Sequence, residues 1–169
     1  ICREEDLLSF KNKHQIIILK PLDGMGGESI YKFEEITTEH LRIFQDLTNN
    51  YKTMVMVQNF LPEIYEGDYR ILIINGKPFP ISLARIPQGD SFKGNLAAGG
   101  KGEARPLNST QQKVCEAIGD LLLTEGITFA GIDMIGDYLT EINVTSPTGA
   151  REILNQTQQN PIQALLESF

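Results

Sequence analysis

Three side chains carry the most specific chemistry in this sequence: Asp133, Glu141 and Asn143. They lie in Ile132-Asp133-Met134-Ile135-Gly136-Asp137-Tyr138-Leu139-Thr140-Glu141-Ile142-Asn143, two runs rich in Ile and aromatic residues around Gly-Asp, which read as a β-hairpin. Strand side chains alternate between faces. If Ile132, Met134, Ile142 and Val144 share one buried face, the loop must hold an odd number of residues, such as Gly136-Asp137-Tyr138. The same register gathers Asp133, Glu141 and Asn143 on the other face. Two carboxylates and an amide carbonyl suit a hard divalent cation such as Mg2+, which takes oxygen ligands and keeps room for phosphate oxygens. A half-exposed hairpin with a solvated polar face would use the same letters.

Two further groups point toward an anionic ligand. A continuous Ile/Leu run over residues 15–19 reads as a buried strand ending in Lys20-Pro21, and Asp23-Gly24-Met25-Gly26-Gly27 follows it. Glycines let backbone N–H groups approach phosphate oxygens, and Lys20 supplies charge. No Gly-Lys-Ser/Thr opens a helix, so this is not a Walker A loop; a plain hairpin turn is the alternative. The second group is basic: Arg70, Lys77, Arg85, Lys93, Lys101 and Arg105 stand within residues 70–105 against Asp90 and Glu103. Inside that window, residues 86–102 form the longest irregular stretch, with glycines at 89, 94, 99, 100 and 102. Long structureless loops in compact domains are functional lids or mobile surface loops. Lys93 and Lys101 suit a lid over an anion.

The chain has 169 residues, 41% of them hydrophobic, enough for one or two compact domains with a real core. A formal net charge of −7 excludes a general nucleic-acid binder; the basic window suits a small polyanion, with ordinary surface lysines as the alternative. Cys2 and Cys115 form no metal-spaced or redox motif, which fits free thiols in a reducing cytoplasm. No run is long and apolar enough to span a membrane. The sequence starts at Ile1 with neither signal peptide nor initiator Met, so a fragment or domain is expected.

The remaining elements must position these groups. Helical segments are expected over residues 3–13 and over 38–50, where Leu41, Phe44, Leu47 and Tyr51 recur at helical spacing. Strands are expected over 29–33, 54–58, 71–74 and 78–85, with Asn75-Gly76 turning the last pair. Ser109, with Gln112 as its capping-box partner, is expected to open a helix with Val114, Ile118, Leu121 and Leu122 inward and Gly126 as its stop. Two short helices, around Glu152 and over 161–166, close the chain. Hairpins outnumber βαβ units, so the expected class is α+β with largely antiparallel sheets packed by helices.

Together the stretches Ile18-Leu19-Lys20-Pro21-Leu22-Asp23-Gly24-Met25-Gly26-Gly27, Ala84-Arg85-Ile86-Pro87-Gln88-Gly89, Gly94-Asn95-Leu96-Ala97-Ala98-Gly99-Gly100 and Leu139-Thr140-Glu141-Ile142-Asn143-Val144-Thr145-Ser146-Pro147 resemble the ATP-grasp superfamily, and within it the bacterial glutathione synthetases. The resemblance implies an ATP-grasp fold with the nucleotide held between two subdomains: residues 1–61 as a small lid-side subdomain and 62–169 as a catalytic subdomain with the flexible loop 86–102. It implies a cytoplasmic ligase that phosphorylates γ-glutamylcysteine with ATP and joins it to glycine. On that chemistry Asp133, Glu141 and Asn143 hold Mg2+, or Mn2+, against the phosphates. Lys20, Gly24, Gly26 and Gly27 grip the phosphates, and Gln58, Asn59, Phe60 and Leu61 line the adenine pocket. Asp68 takes the ribose hydroxyls; Arg70 and Arg85 stabilise the acyl phosphate and oxyanion; Asn95, Ser146 and Thr148 meet the peptide substrate. No general base stands out, and His14 and His40 are expected at the surface.

This sequence departs from the family pattern in lacking an N-terminal substrate domain and a further ATP-gripping Lys, so an ATP-grasp region without its leading part is expected. Lys93 and Lys101 stand where the family often has Arg, and Gly149 where a Cys can occur. Implied partners are the two substrates and the missing N-terminal domain, with a homo-oligomer as an option and neither nucleic acid nor membrane. Another ATP-grasp peptide ligase, or an inert ATP-binding fragment, would keep most of the same residues.

Overall fold

Apolar alternation in the first third of the chain builds a short antiparallel sheet. In the computed structural model, which describes residues 1–24 and 26–169, helix α1 (Glu4–Lys11) leads into strand β1 (Ile17–Pro21). β2 (Tyr31–Phe33), α2 (Thr38–Leu47) and β3 (Val55–Asn59) follow, with sheet order β2-β1-β3. Ile17, Leu19, Phe33 and Val55 turn inward onto Leu7 of α1 and Phe44 of α2, all essentially buried. α2 stops at Leu47 rather than near Asn50, because Asn49, Asn50 and Tyr51 all adopt positive φ. His40 stays partly exposed, where it completes a capping box with Thr37 and stacks on Phe33 at 4.3 Å, as His14 stacks on Phe10. This first compact unit covers Ile1–Pro62.

The second unit, Glu63–Phe169, is organised by a larger antiparallel sheet. Its strands are β4 (Asp68–Ile74), β5 (Lys77–Pro78), β6 (Ile81–Ile86), β7 (Lys101–Pro106), β8 (Phe129–Ile135) and β9 (Tyr138–Asn143). The order is β7-β6-β4-β8-β9, with β5 also on β4. Helix α3 (Ser109–Thr124) covers one face, where Ile71, Ile73, Ala130, Ile132 and Met134 meet Cys115 and Leu122. Helices α4 (Ala150–Thr157) and α5 (Pro161–Leu166) lie on the other, where Leu72, Ile74 and Leu83 meet Ile153. Cover on both faces explains the unbroken Ile71-Leu72-Ile73-Ile74 run in β4. Burial pushes the Cys115 thiol up to about 12, so this side chain acts as a small core residue. Among the described residues no helix is long and apolar enough to cross a membrane.

Several local expectations change. The N-cap of α3 is Asn108, reciprocally paired with Gln111, not Ser109 with Gln112. Val114, Ile118 and Leu122 pack inward as expected, joined by Cys115, whereas Leu121 is 56% exposed. The β8–β9 hairpin turns on two residues, Gly136-Asp137, because Ile135 already pairs with Tyr138. Parity is restored by a register shift after Asp133, where Thr140 is the extra residue and its hydroxyl donates to Asp133 O at 3.1 Å. Asp133 therefore still faces Glu141, and Ile132 still pairs with Ile142. On this edge strand, however, Ile142 and Val144 remain 40% and 50% exposed rather than buried. Asn108→Ala should lower unfolding stability by about 1 kcal/mol in urea titrations, and Ser109→Ala by much less.

Candidate active site

Strand pairing alone brings the polar residues of the second unit together. Asp68 is opposite Arg85, Arg70 opposite Asp133, Asp133 opposite Glu141, and Asn143 opposite Gly131. These positions share the α4 side of the sheet, where Leu72 and Leu83 continue the face as apolar core. The cluster sits deep: Arg70 is 7% exposed, Arg85 5% and Asp133 2%. Arg70 grips Asp133 in a fork, Nε to Oδ1 at 2.5 Å and Nη2 to Oδ2 at 2.9 Å. Arg85 Nη2 bridges Asp133 Oδ2 at 2.9 Å and Asp68 Oδ2 at 2.5 Å. Two buried carboxylates thus face two buried guanidiniums, which meets the requirement that buried charge be paired.

The pairing divides the two acids electrostatically. Burial draws the Asp133 carboxyl upward, but the hydrogen bonds and charges of Arg70 and Arg85 outweigh it and hold it below the usual carboxylate range. Asp68 goes the other way, to about 6: burial and the nearby charge of Asp133 prevail over Arg85. Arg85 is itself pushed up, its desolvation more than offset by the two carboxylates. Asp68 Oδ1 is enclosed and accepts no hydrogen bond among the described residues.

The metal-candidate trio points together. With the Asn143 amide turned to satisfy both neighbours, its nitrogen donates to Glu141 Oε1 at 3.2 Å and its oxygen accepts from Arg70 Nη2 at 3.2 Å. That oxygen end stands 3.5 Å from Asp133 Oδ2. Among the described residues no three His, Cys, Asp or Glu side chains cluster as metal ligands; the set here is two carboxylates and one amide. Hard oxygen donors of this kind fit Mg2+.

Loops close the cluster from two sides. Residues 86, 101 and 102, expected in the irregular stretch, belong to the β6–β7 ladder, where Ile86 pairs with Lys101. Gly94 packs onto the cluster so closely that a Cβ there would lie 2.5 Å from Arg85 O and 3.1 Å from Asp68 Cβ. Asn95 is beside it, its carbonyl accepting from Ala98 and Gly100. On the other side, Ser146 holds a strained φ of +46° and is exposed. Thr148 lies 3.4 Å from Arg70 Nη1 through both its carbonyl and its hydroxyl. Gly131 and Gly149, not singled out for the site from sequence, flank the Arg70 stem: added Cβ atoms would stand 3.0 Å from Cδ and 3.3 Å from Cγ. A glycine inside the apolar run of β8 was the available signal for Gly131.

The first unit holds Lys20 and Gln58 on the sheet face opposite its core, and the other candidates at its strand ends and loops. Lys20 pairs with Met56, and Ile18 with both Gln58 and Lys32, so Lys20, Lys32 and Gln58 share that face. Lys32 escaped the sequence reading; counting back one residue from the buried Phe33 would have placed it outward. Gly26 and Gly27 take φ of +66° and +84°, which explains glycine there. At Gly24 a Cβ would meet Pro21 Cγ at 2.8 Å, and Met25 lies outside the described residues. Asn59, Phe60 and Leu61 leave the end of β3, with Phe60 N held by Ile16 O at 3.0 Å.

The family model of the prokaryotic glutathione synthetase ATP-grasp domain matches residues 1–158. The chain belongs to this family. It is 50% identical to the glutathione synthetase of Vibrio parahaemolyticus over 151 residues, 89% of this chain and 48% of that one. With the glutathione synthetase of Nitrosomonas europaea it shares 46% over 167 residues, 99% of this chain and 52% of that one. The chain therefore spans about half the length of the curated relatives it matches. Among solved structures, the ATP-grasp ligase PsnB complexed with minimal precursor, Mg and ADP superposes with a TM-score of 0.69 at 15% identity, covering 99% of this chain and 50% of that one. The fold is thus ATP-grasp and α+β.

The two acids give this glutathione synthetase family domain a testable pH signature. Asp68 binds its proton more tightly folded, at about 6, than unfolded, near 3.8. Its stabilising contribution is therefore complete below the unfolded value and lost as pH rises through about 6. Asp133, depressed on folding, contributes above its unfolded value and loses that contribution as pH falls through its folded one. Thermal unfolding across mildly acidic pH should show the stability difference between the unaltered chain and Asp68→Asn falling as pH rises through this window.

Proposed function

We propose that this chain is the ATP-binding and catalytic part of a glutathione synthetase, an ATP-dependent ligase joining γ-glutamylcysteine to glycine through an acyl phosphate. The reading rests on one observation: in a chain of this family, Arg70 and Arg85 stand on the same sheet face as Asp133, Glu141 and Asn143. Acyl phosphate chemistry develops negative charge on phosphate and on a tetrahedral oxyanion, and buried guanidiniums are suited to both.

Asp133, Glu141 and Asn143 would hold Mg2+, with Mn2+ as a substitute. Once bound, the ion would neutralise phosphate oxygens as the γ-phosphoryl group moves. Lys20 and the backbone N–H groups of Gly24, Gly26 and Gly27 would hold the phosphates, and Lys32 adds charge to that face. Gln58, Asn59, Phe60 and Leu61 would meet the adenine edge. Asp68 would keep Arg85 oriented through Oδ2 and would take the ribose hydroxyls. Asn95, Ser146 and Thr148 would position the peptide. The loop carrying Lys93 would exclude water, because an acyl phosphate open to solvent hydrolyses.

The whole reaction would need the half of the enzyme that this chain does not span, which we assign to an N-terminal substrate domain, with the cytoplasm as the compartment. Alone, the chain would ligate weakly or not at all. Replacing the matching half of the Nitrosomonas europaea glutathione synthetase by this chain gives the test. The chimaera should release phosphate with γ-glutamylcysteine plus glycine well above other amino acid pairs, and Arg85→Ala should lower its kcat by about 10²–10³-fold. Equal release with other pairs would favour a different ATP-grasp peptide ligase. Nucleotide binding without release would favour an inert module.

A further inference from the structure

Arg70 occupies ground that the proposed metal site also needs. Its Nη2 lies 2.9 Å from Asp133 Oδ2 and 3.2 Å from the oxygen of Asn143. Its Nε takes the other Asp133 oxygen. Two of the three oxygen donors assigned to the cation are therefore already turned toward a guanidinium. A divalent ion binds such oxygens at about 2.0–2.1 Å and repels a neighbouring cation strongly inside a buried site. Asp133 Oδ2 already faces both Arg70 Nη2 and Arg85 Nη2, which fill its two lone pairs, so an ion entering there displaces one of them; Arg85 is held by Asp68 as well. The oxygens cannot be left alone, since a buried carboxylate facing other acceptors requires positive charge.

Resting on the metal assignment above, we propose that Arg70 is a cationic placeholder, holding Asp133 and Asn143 in convergence with Glu141 until a divalent ion displaces it. Thr148 offers the displaced guanidinium its nearest other acceptors. Arg85 keeps its own bridge from Asp133 to Asp68, so the carboxylate stays anchored during the exchange. The aliphatic stem of Arg70 passes between Gly131 and Gly149, where even one methyl group on either glycine would press on Cδ or Cγ. Clamped there, the side chain moves only at its head. Its Nη1 already stands 3.4 Å from the Thr148 carbonyl and hydroxyl, contacts too long to be strong. Metal loading thus turns the guanidinium from an internal carboxylate toward the Thr148 side, free to take an anionic group. Gly131 and Gly149 are its positioning residues.

Two measurements on the unmodified chain length test this. Without nucleotide, Mn2+ binding followed by electron paramagnetic resonance should tighten about tenfold in Arg70→Met, a typical size for coupling between competing ligands, and weaken in Asp133→Asn. In the unaltered chain, the Nε–H resonance of Arg70 should move in step with Mg2+ titration as its bond to Asp133 breaks; this also serves if Arg70→Met fails to fold. Metal binding that is lost in Asp133→Asn but unchanged in Arg70→Met, with a static Arg70 resonance, overturns the placeholder alone. Metal binding indifferent to Asp133→Asn overturns the metal assignment itself, and the placeholder with it.

Discussion

Asp133 has to be held as a carboxylate in a place from which water is excluded, and the second unit is arranged around that requirement. At 2% exposure the charge persists only because two guanidiniums meet it and because Arg85 spreads its charge onto Asp68 as well. In the ligase proposed above, guanidiniums already desolvated and oriented by a buried carboxylate would meet a developing phosphate or oxyanion charge with little reorganisation.

Backbone features fix this arrangement more than side-chain packing does. The extra residue Thr140 lets a tight Gly136-Asp137 turn coexist with a register that keeps Asp133 beside Glu141. Without that bulge, the two-residue turn would send Glu141 and Asn143 to the α3 face. Gly131 and Gly149 leave the lane through which Arg70 reaches its partners, and Gly94 lets the following loop lie directly on the Asp68–Arg85 pair. Each is a place where the backbone comes closer than a side chain allows.

Much of this was legible in the letters. Period-two alternation located the hairpin and the face shared by Asp133, Glu141 and Asn143, and the ATP-grasp resemblance fixed the fold. What misled was local. Hydrophobic periodicity by itself allows only an odd loop here, because a bulge leaves no mark in it. Asn108 and Ser109 are both good caps, and only the extended backbone of Asn108 and its reciprocal bonds with Gln111 decide between them. Lys32 was hidden by a three-residue strand too short to show a period. The mutual commitment of Arg70 and Asp133 was invisible for another reason: they are 63 residues apart and meet only through the pairing of β4 with β8.

The most direct measurement is a double-mutant cycle on unfolding stability with Arg70→Met, Asp133→Asn and the pair combined. A shared buried charge predicts strong non-additivity: each single change leaves an unmatched buried group, the double relieves it, and the coupling reaches about 2 kcal/mol or more. Additivity within about 0.5 kcal/mol would show that Asp133 and Arg70 do not depend on one another, and would contradict the account at its base.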